Sequence, residues 1–248
     1  MVAQTFVILR KEWEEIKSTL FSYHNLQAGL WPILLFCAAF GVYEPLRTGP
    51  DWMQSPSMVF SLSVLVPFVV IGFISPYSFV GERKRGTLEP LLAPPVSDQA
   101  ILFGKIGIAV LYGWGVSFAS MALGSAILSI STGKLLFYPL SIMMPTLLLS
   151  FFFSVLVASI GTSSSFYAKT LLEAQKKLVM ALFIPLILPA FLVGPFMPEA
   201  WKGIIVQTVA QSGITNLLLI LVLLLLLFDI ITMVIALRRF QRKLLIFE

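Results

Sequence analysis

The chain has 248 residues, 58% of them hydrophobic and only 12% charged, with a mean hydropathy of +0.95. Water-soluble domains carry about a quarter of their residues as charges, so a soluble globular enzyme is excluded and the chain is an integral membrane protein. At about 20 residues per crossing it holds roughly six spans and no soluble domain of ordinary size. The net charge of +5 is then read by side of the membrane and is not a nucleic-acid footprint.

Residues 1–24 give the first element. Val2, Phe6, Leu9, Trp13, Ile16 and Leu20 alternate at spacings of four and three, which sets them on one helical face with Glu12, Glu14, Glu15 and Ser18 opposite. Such a helix lies in the membrane interface or packs on the protein's own core. No small-residue cleavage pattern follows the first apolar run, so no cleavable signal is expected. His24, the one histidine, reads as a polar interface residue, and the one cysteine, Cys37, excludes an internal disulfide.

The first span is predicted at 26–43. A loop follows, because Pro45, Gly49, Pro50 and Pro56 do not suit a helix interior. The second span, 58–80, contains Pro67 and Pro76, and kinks there require neighbours that satisfy the freed carbonyls. Residues 81–105 form a polar island with the densest run of charge in the chain, Glu82, Arg83, Lys84 and Arg85. Gly86 breaks the helix. Thr87 offers a cap for a short helix at 88–93, with Glu89 near its positive end and Pro90 in its first turn, and Pro94 and Pro95 stop it. That helix presents Leu88, Leu91 and Leu92 to something other than lipid. Ser97 and Asp98 supply an N-cap and a first-turn acid for the next helix, which runs through Leu102 and Lys105 into the third span, 106–130. Its glycines, among them Gly107, Gly113, Gly115 and Gly124, suit close helix approach.

The fourth span is predicted at 140–160. A break over Gly161–Ser165 follows, and Ser165 is expected to cap a helix bearing Lys169, Glu173, Gln175, Lys176 and Lys177. In it Glu173 and Lys177 make a stabilising pair four residues apart. The fifth span, 178–193, contains Pro185 and Pro189, and residues 198–212 read as a separate segment too polar to cross. The last span, 214–237, carries a run of leucines and ends in Arg238, Arg239, Arg242 and Lys243. With six spans and both termini on one side, 14 of the 17 lysines and arginines fall on that side, leaving Arg47, Lys134 and Lys202 on the other. That bias makes it the cytoplasmic side.

No phosphate-binding G-x-x-x-x-G-K-[ST] loop, metal-ligand cluster or nucleophile elbow occurs, so the chain is not expected to be catalytic or to bind a cofactor or metal. Asp229 is the one ionisable residue inside a predicted span. A carboxylate there costs about 2.5–3.5 kcal/mol on insertion scales. It either lines a substrate or ion path, or lies close enough to the cytoplasmic end to meet Thr232, Arg238 or interfacial water; the sequence favours the second.

The string Glu-Arg-Lys-Arg-Gly-Thr-Leu-Glu-Pro-Leu-Leu, followed by a double proline and a Gly-Lys pair, resembles the first cytoplasmic loop of ATP-binding-cassette exporter permeases of the ABCG-like class, the type V fold. The resemblance implies an all-α polytopic membrane protein of six transmembrane helices after an amphipathic interfacial helix, a single domain over 1–248. It implies that Glu82, Arg83, Gly86, Thr87, Leu88, Glu89, Leu91 and Leu92 form an ATPase-coupling loop, with the coupling helix at 86–92. Lys169, Glu173 and Gln175 resemble the second cytoplasmic loop (161–177), and 194–213 takes the place of an outer lid. The function implied is that of a permease subunit moving a lipid, drug-like amphiphile or ion out of the cell with separate soluble ABC ATPase subunits, which bind the ATP and Mg. Its other implied partners are membrane lipid and a similar permease, as homodimer or heterodimer, and its place is the plasma membrane. Two alternatives stay open: a permease-like subunit that drives an external partner without transport, and an ATP-independent secondary transporter.

Overall fold

The computed structural model of the chain describes residues 5–6, 8–14, 33–87, 97–184 and 199–240; of residues 199–215 and 217 it describes the backbone alone. The order of helices is α1 (8–14), α2 (33–48), α3 (Pro56–Arg85), α4 (Asp98–Thr132), α5 (Leu140–Ser165), α6 (Leu171–Leu182) and α7 (Glu199–Arg239), and no strand occurs among the described residues. Among the described residues, four stretches are long and apolar enough to cross a membrane: α3, α4, α5 and Leu218–Arg239 of α7. The first and fifth predicted spans fall partly outside the described residues.

Proline shapes α2 and α3 in the same way. Each contains a π turn, Ala39–Tyr43 in α2 and Ser61–Leu65 in α3, and each turn is followed two residues later by proline, Pro45 or Pro67. In the π turn the amide of the next residue reaches back five positions, Glu44 to the Ala39 carbonyl and Val66 to Ser61. The carbonyl that proline fails to engage therefore lies in a stretch already wound wide, and the helix continues past it. The expected loop after residue 43 accordingly starts later: the helix runs through Thr48 and passes into a 3-10 helix, Gly49–Gln54. Pro56 then opens α3 with Ser55 as its cap, the Ser55 hydroxyl accepting from the Met58 amide.

Three further boundaries differ from expectation. Gly161 sits inside α5 and does not break it, because its missing side chain makes room for α3: an added Cβ would lie 2.5 Å from Ser75 Oγ. At that crossing Ser75 donates to the Ala158 carbonyl (2.8 Å) and pairs with the Thr162 hydroxyl (3.0 Å). A glycine of close approach reads in sequence like a glycine of a turn. The cap of α6 is Thr170, not Ser165; its hydroxyl accepts from the Glu173 amide. Finally, α7 is one helix of 41 residues, so 199–213 are its first turns and no break precedes the span expected from 214. The remainder of the expected lid, 194–198, lies outside the described residues. The α4 start is as expected, with Ser97 accepting from the Ala100 amide at 3.3 Å.

Helix α5 is central: α7, α4, α3 and α6 all pack on it. Among the described residues the core forms a small cluster of Val80, Ala168 and Ala174 and two large ones. One, built on Phe79, Ile101, Leu102, Leu156, Phe166 and Phe240, lies toward the polar-loop end; the other, built on Trp52, Met58, Leu62, Tyr112, Leu128 and Leu149, lies toward the opposite end.

Replacing Gly161 by valine forces α3 off α5. We expect a loss of about 1–3 kcal/mol, the usual cost of overpacking, read as a lower Tm of the purified chain. Gly115→Ala, where an added Cβ meets nothing within 4 Å, is expected to leave Tm unchanged or raise it slightly.

Candidate functional site

The polar island begins with a helix end that its sequence dictates. Gly86 takes a left-handed conformation, φ +67°, that a side chain would strain, and the Gly86 and Thr87 amides turn back to the Arg83 and Glu82 carbonyls at 3.2 and 3.0 Å. This double closure is a Schellman motif. The Thr87 hydroxyl donates backwards to the Glu82 carbonyl (3.3 Å); the short helix it was expected to cap lies outside the described residues. Closing the turn here fixes where the side chains of the last helical turn point: Glu82 inward, 3% exposed, and Arg83 sideways.

Inward, Glu82 meets a buried ion cluster. Lys105 of α4, 2% exposed, donates to Glu12 of α1 at 2.7 Å, to Glu82 at 3.1 Å and to the Ser78 carbonyl at 3.0 Å. Its three donors are thereby used, and the ammonium also lies 5.2 Å from the centre of the Phe79 ring. The half-exposed Lys11 adds a second bond to the same Glu82 oxygen, at 3.2 Å. Two carboxylates and two ammonium groups balance, and the cluster joins α1, α3 and α4. Close packing makes this geometry possible: Gly104, next to Lys105, lets Ile8 of α1 approach so tightly that an added Cβ would lie 2.6 Å from it.

Sideways, Arg83 donates to the Phe166 and Ala168 carbonyls, each at 2.8 Å. These carbonyls belong to 166–170, the second polar loop, so one guanidinium ties the two loops together with charge-assisted bonds. Beneath the tie, Phe79, Phe166 and Phe240 form a triangle with ring centres 5.2–5.7 Å apart. Tyr167 donates to the Arg239 carbonyl at 2.8 Å, bringing the end of α7 to the same place. The polar-loop end of five helices is thus one interlocked block.

Among the sequence-predicted residues, the structure brings Glu82, Arg83, Gly86 and Thr87 together with the second loop, whereas Leu88, Glu89, Leu91 and Leu92 lie outside the described residues. Glu173 pairs with Lys177 at 2.6 Å and accepts from the Lys169 amide at 3.0 Å, while Gln175 is half-buried on α6. The Lys177 hydrogen bond first, and then that amide, hold the Glu173 carboxyl below the usual carboxylate range. This cap is therefore complete above the ordinary glutamate pKa and is lost as pH falls through the depressed value. Asp229 stands apart. It is buried, 6% exposed, and neither carboxylate oxygen has a hydrogen-bond partner among the described residues. Thr232, one of the partners expected for it, donates instead to the Asp229 backbone carbonyl (3.1 Å).

Sequence reasoning missed Glu12 and Lys105 as partners. Glu12 was placed on the polar face of α1, and it is in fact 7% exposed against the protein, while Phe6 and Trp13 of the apolar face are 69% and 49% exposed. The one available signal was a lysine next to a glycine at the start of an apolar helix. No periodicity pairs it with a glutamate 93 residues away.

The family model described as ABC-2 family transporter protein matches residues 8–138, just over half of the chain and the part that holds α1, the ion cluster and the first polar loop. The chain belongs to that family. It is therefore a multi-pass membrane protein and the permease component of an ABC transporter, a component not generally catalytic itself, whose membership implies association with an ABC ATPase subunit. No curated protein matches the chain.

Lys105→Met leaves Glu12 without its ammonium and Glu82 with the half-exposed Lys11 alone, and is expected to cost about 3–5 kcal/mol, measured by thermal unfolding of the purified chain. Combining it with Glu12→Gln and Glu82→Gln should recover most of that loss. Arg83→Gln removes two charge-assisted bonds of about 1.5–3 kcal/mol each; hydrogen exchange at 166–170 should then accelerate while α4 stays protected.

Proposed function

We propose that the chain is the transmembrane subunit of an ATP-driven exporter, with six spans, an interfacial amino-terminal helix and both termini on the cytoplasmic side of the plasma membrane. It works as a dimer of permeases with two separate ATPase subunits, which bind the ATP and Mg; this chain binds neither. The observation that carries the reading is the Arg83 tie together with the Lys105 cluster. A lever is useful only if its base does not yield, and the segment 86–92 springs from a helix end locked to α1, α4 and the second loop by buried, charge-assisted bonds.

In this reading the ATPase grips the segment 86–92, with Gly86 and Thr87 setting its angle and Leu88, Glu89, Leu91 and Leu92 supplying its contact face. Closure of the nucleotide-binding pair displaces that segment. Because Glu82 and Arg83 sit directly before it, the displacement passes into α1, α4 and α5 as one body, and switches access to a path between the two permeases. Lys169, Glu173 and Gln175 stiffen the second loop against the same load. The positive-inside bias supports the orientation, since a six-span topology puts 14 of the 17 lysines and arginines on one side.

The test is co-purification. The tagged chain, extracted from native membranes, is expected to bring down a soluble nucleotide-hydrolysing subunit and to stimulate it. Changing Gly86 to asparagine, which tolerates its left-handed conformation, Thr87 to alanine and Glu89 to arginine should abolish both effects while elution volume and Tm stay near wild type. Retention of the ATPase by the triple variant, or absence of any such subunit from wild type, would end the proposal.

A further inference from the structure

The start of α6 turns one leucine inward and the next outward. Thr170 caps the helix, its hydroxyl accepting from the Glu173 amide (3.2 Å), and the Glu173 carboxylate accepts in turn from the Lys169 amide (3.0 Å) and pairs with Lys177 (2.6 Å). Such a reciprocal cap holds the first turn still. Leu171 then packs on Val80, Ala168 and Ala174, whereas Leu172 is 61% exposed. Lys176 lies one turn on, on the face of Leu172, and Lys169 stands just before the cap; both are exposed.

A lone exposed leucine carries no message on its own. Here its place does. Val80 belongs to the last turns of α3, on which the start of α6 packs. Arg83, three residues further along α3, holds the Phe166 and Ala168 carbonyls of the loop that leads into α6. Leu172 is therefore fixed beside the helix end from which residues 86–92 spring. It also precedes Lys176 and Lys177 by four and five residues, about 6–7 Å of rise, which in the six-span arrangement is the water side of both. Apolar area held rigidly there, among cations, suits a protein partner better than lipid.

We propose that Leu172, flanked by Lys169 and Lys176, is a second contact point for the ATPase subunit, an apolar knob that enters a pocket with an acidic rim. This deepens the exporter reading and rests on it: family membership implies the ATPase, and continuity with segment 86–92 supplies the place. The two contacts share one base, because the Arg83 tie and the Val80 cluster keep them at a fixed spacing. An ATPase that grips both resists rotation about either, and its displacement reaches α3 and α6 together.

The experiment uses the full chain in native membranes. The photoreactive residue p-benzoylphenylalanine replaces Leu172 and, in a parallel chain, Leu135, which is 83% exposed in the turn between α4 and α5. Irradiation should join the ATPase to the first chain and not to the second. Leu172→Glu should lower the amount of ATPase that co-purifies by about tenfold or more, with Tm unchanged because the residue is exposed. Lys176→Glu should lower it too and flatten its dependence on salt. An adduct of position 172 with lipid alone, or unchanged ATPase retention in Leu172→Glu, overturns this inference and leaves the exporter reading standing. Absence of any ATPase from wild type ends both. The adduct decides where a variant fails to fold, because the photoreactive group replaces a side chain that already faces outward.

Discussion

A lysine that spends all three of its donors on protein fixes the geometry of this chain's polar-loop end. Lys105 reaches two glutamates and a carbonyl, from three helices, in a space it shares with the Phe79 ring. Such a cluster contributes little net stability, because desolvating Lys105, Glu12 and Glu82 offsets most of their attraction. Its effect is on uniqueness: any sliding of α1 or α3 against α4 strands a charge in an apolar surrounding, and that penalty is steep. The arrangement is therefore a register device more than a glue, and it acts where the family match begins and at the base of the first polar loop.

The rest of the block follows from that register. With Glu82 held inward, the helical turn aims Arg83 at the second loop, and the Schellman closure at Gly86 ends the helix before the aim can drift. The Phe79, Phe166 and Phe240 triangle then fills the space beneath the tie with apolar area and no polar demand. Removed from this order, each piece is ordinary: an exposed arginine, a C-cap glycine, three phenylalanines. Held together they make three helix ends and two loops move as one.

What the sequence made legible was local. The Ser97 cap, the Glu173 and Lys177 pair and the helix stop at Gly86 depend on neighbours within four or five residues, and all three stand as read. The misplaced boundaries have a different origin. Gly161 and Pro45 are breakers by composition, yet each is absorbed by something distant or unusual: Ser75 of another helix in one case, a π turn in the other. The same limit hid the ion cluster, since Glu12 to Lys105 spans 93 residues and Glu82 to Lys105 spans 23. Hydrophobic periodicity assigned Glu12 of α1 to the wrong environment, because a polar face can be covered by protein as well as by water.

The chain buries two kinds of charge and treats them oppositely, and the contrast is informative. Lys105 spends all three donors on protein acceptors, although Glu82 Oε2 has no partner among the described residues. Asp229 is equally removed from solvent, yet among the described residues neither of its oxygens has a partner, and the helix it packs on offers no cation. Within the described residues that burial is a cost without a matching contact, and an apolar residue at 229 would remove it.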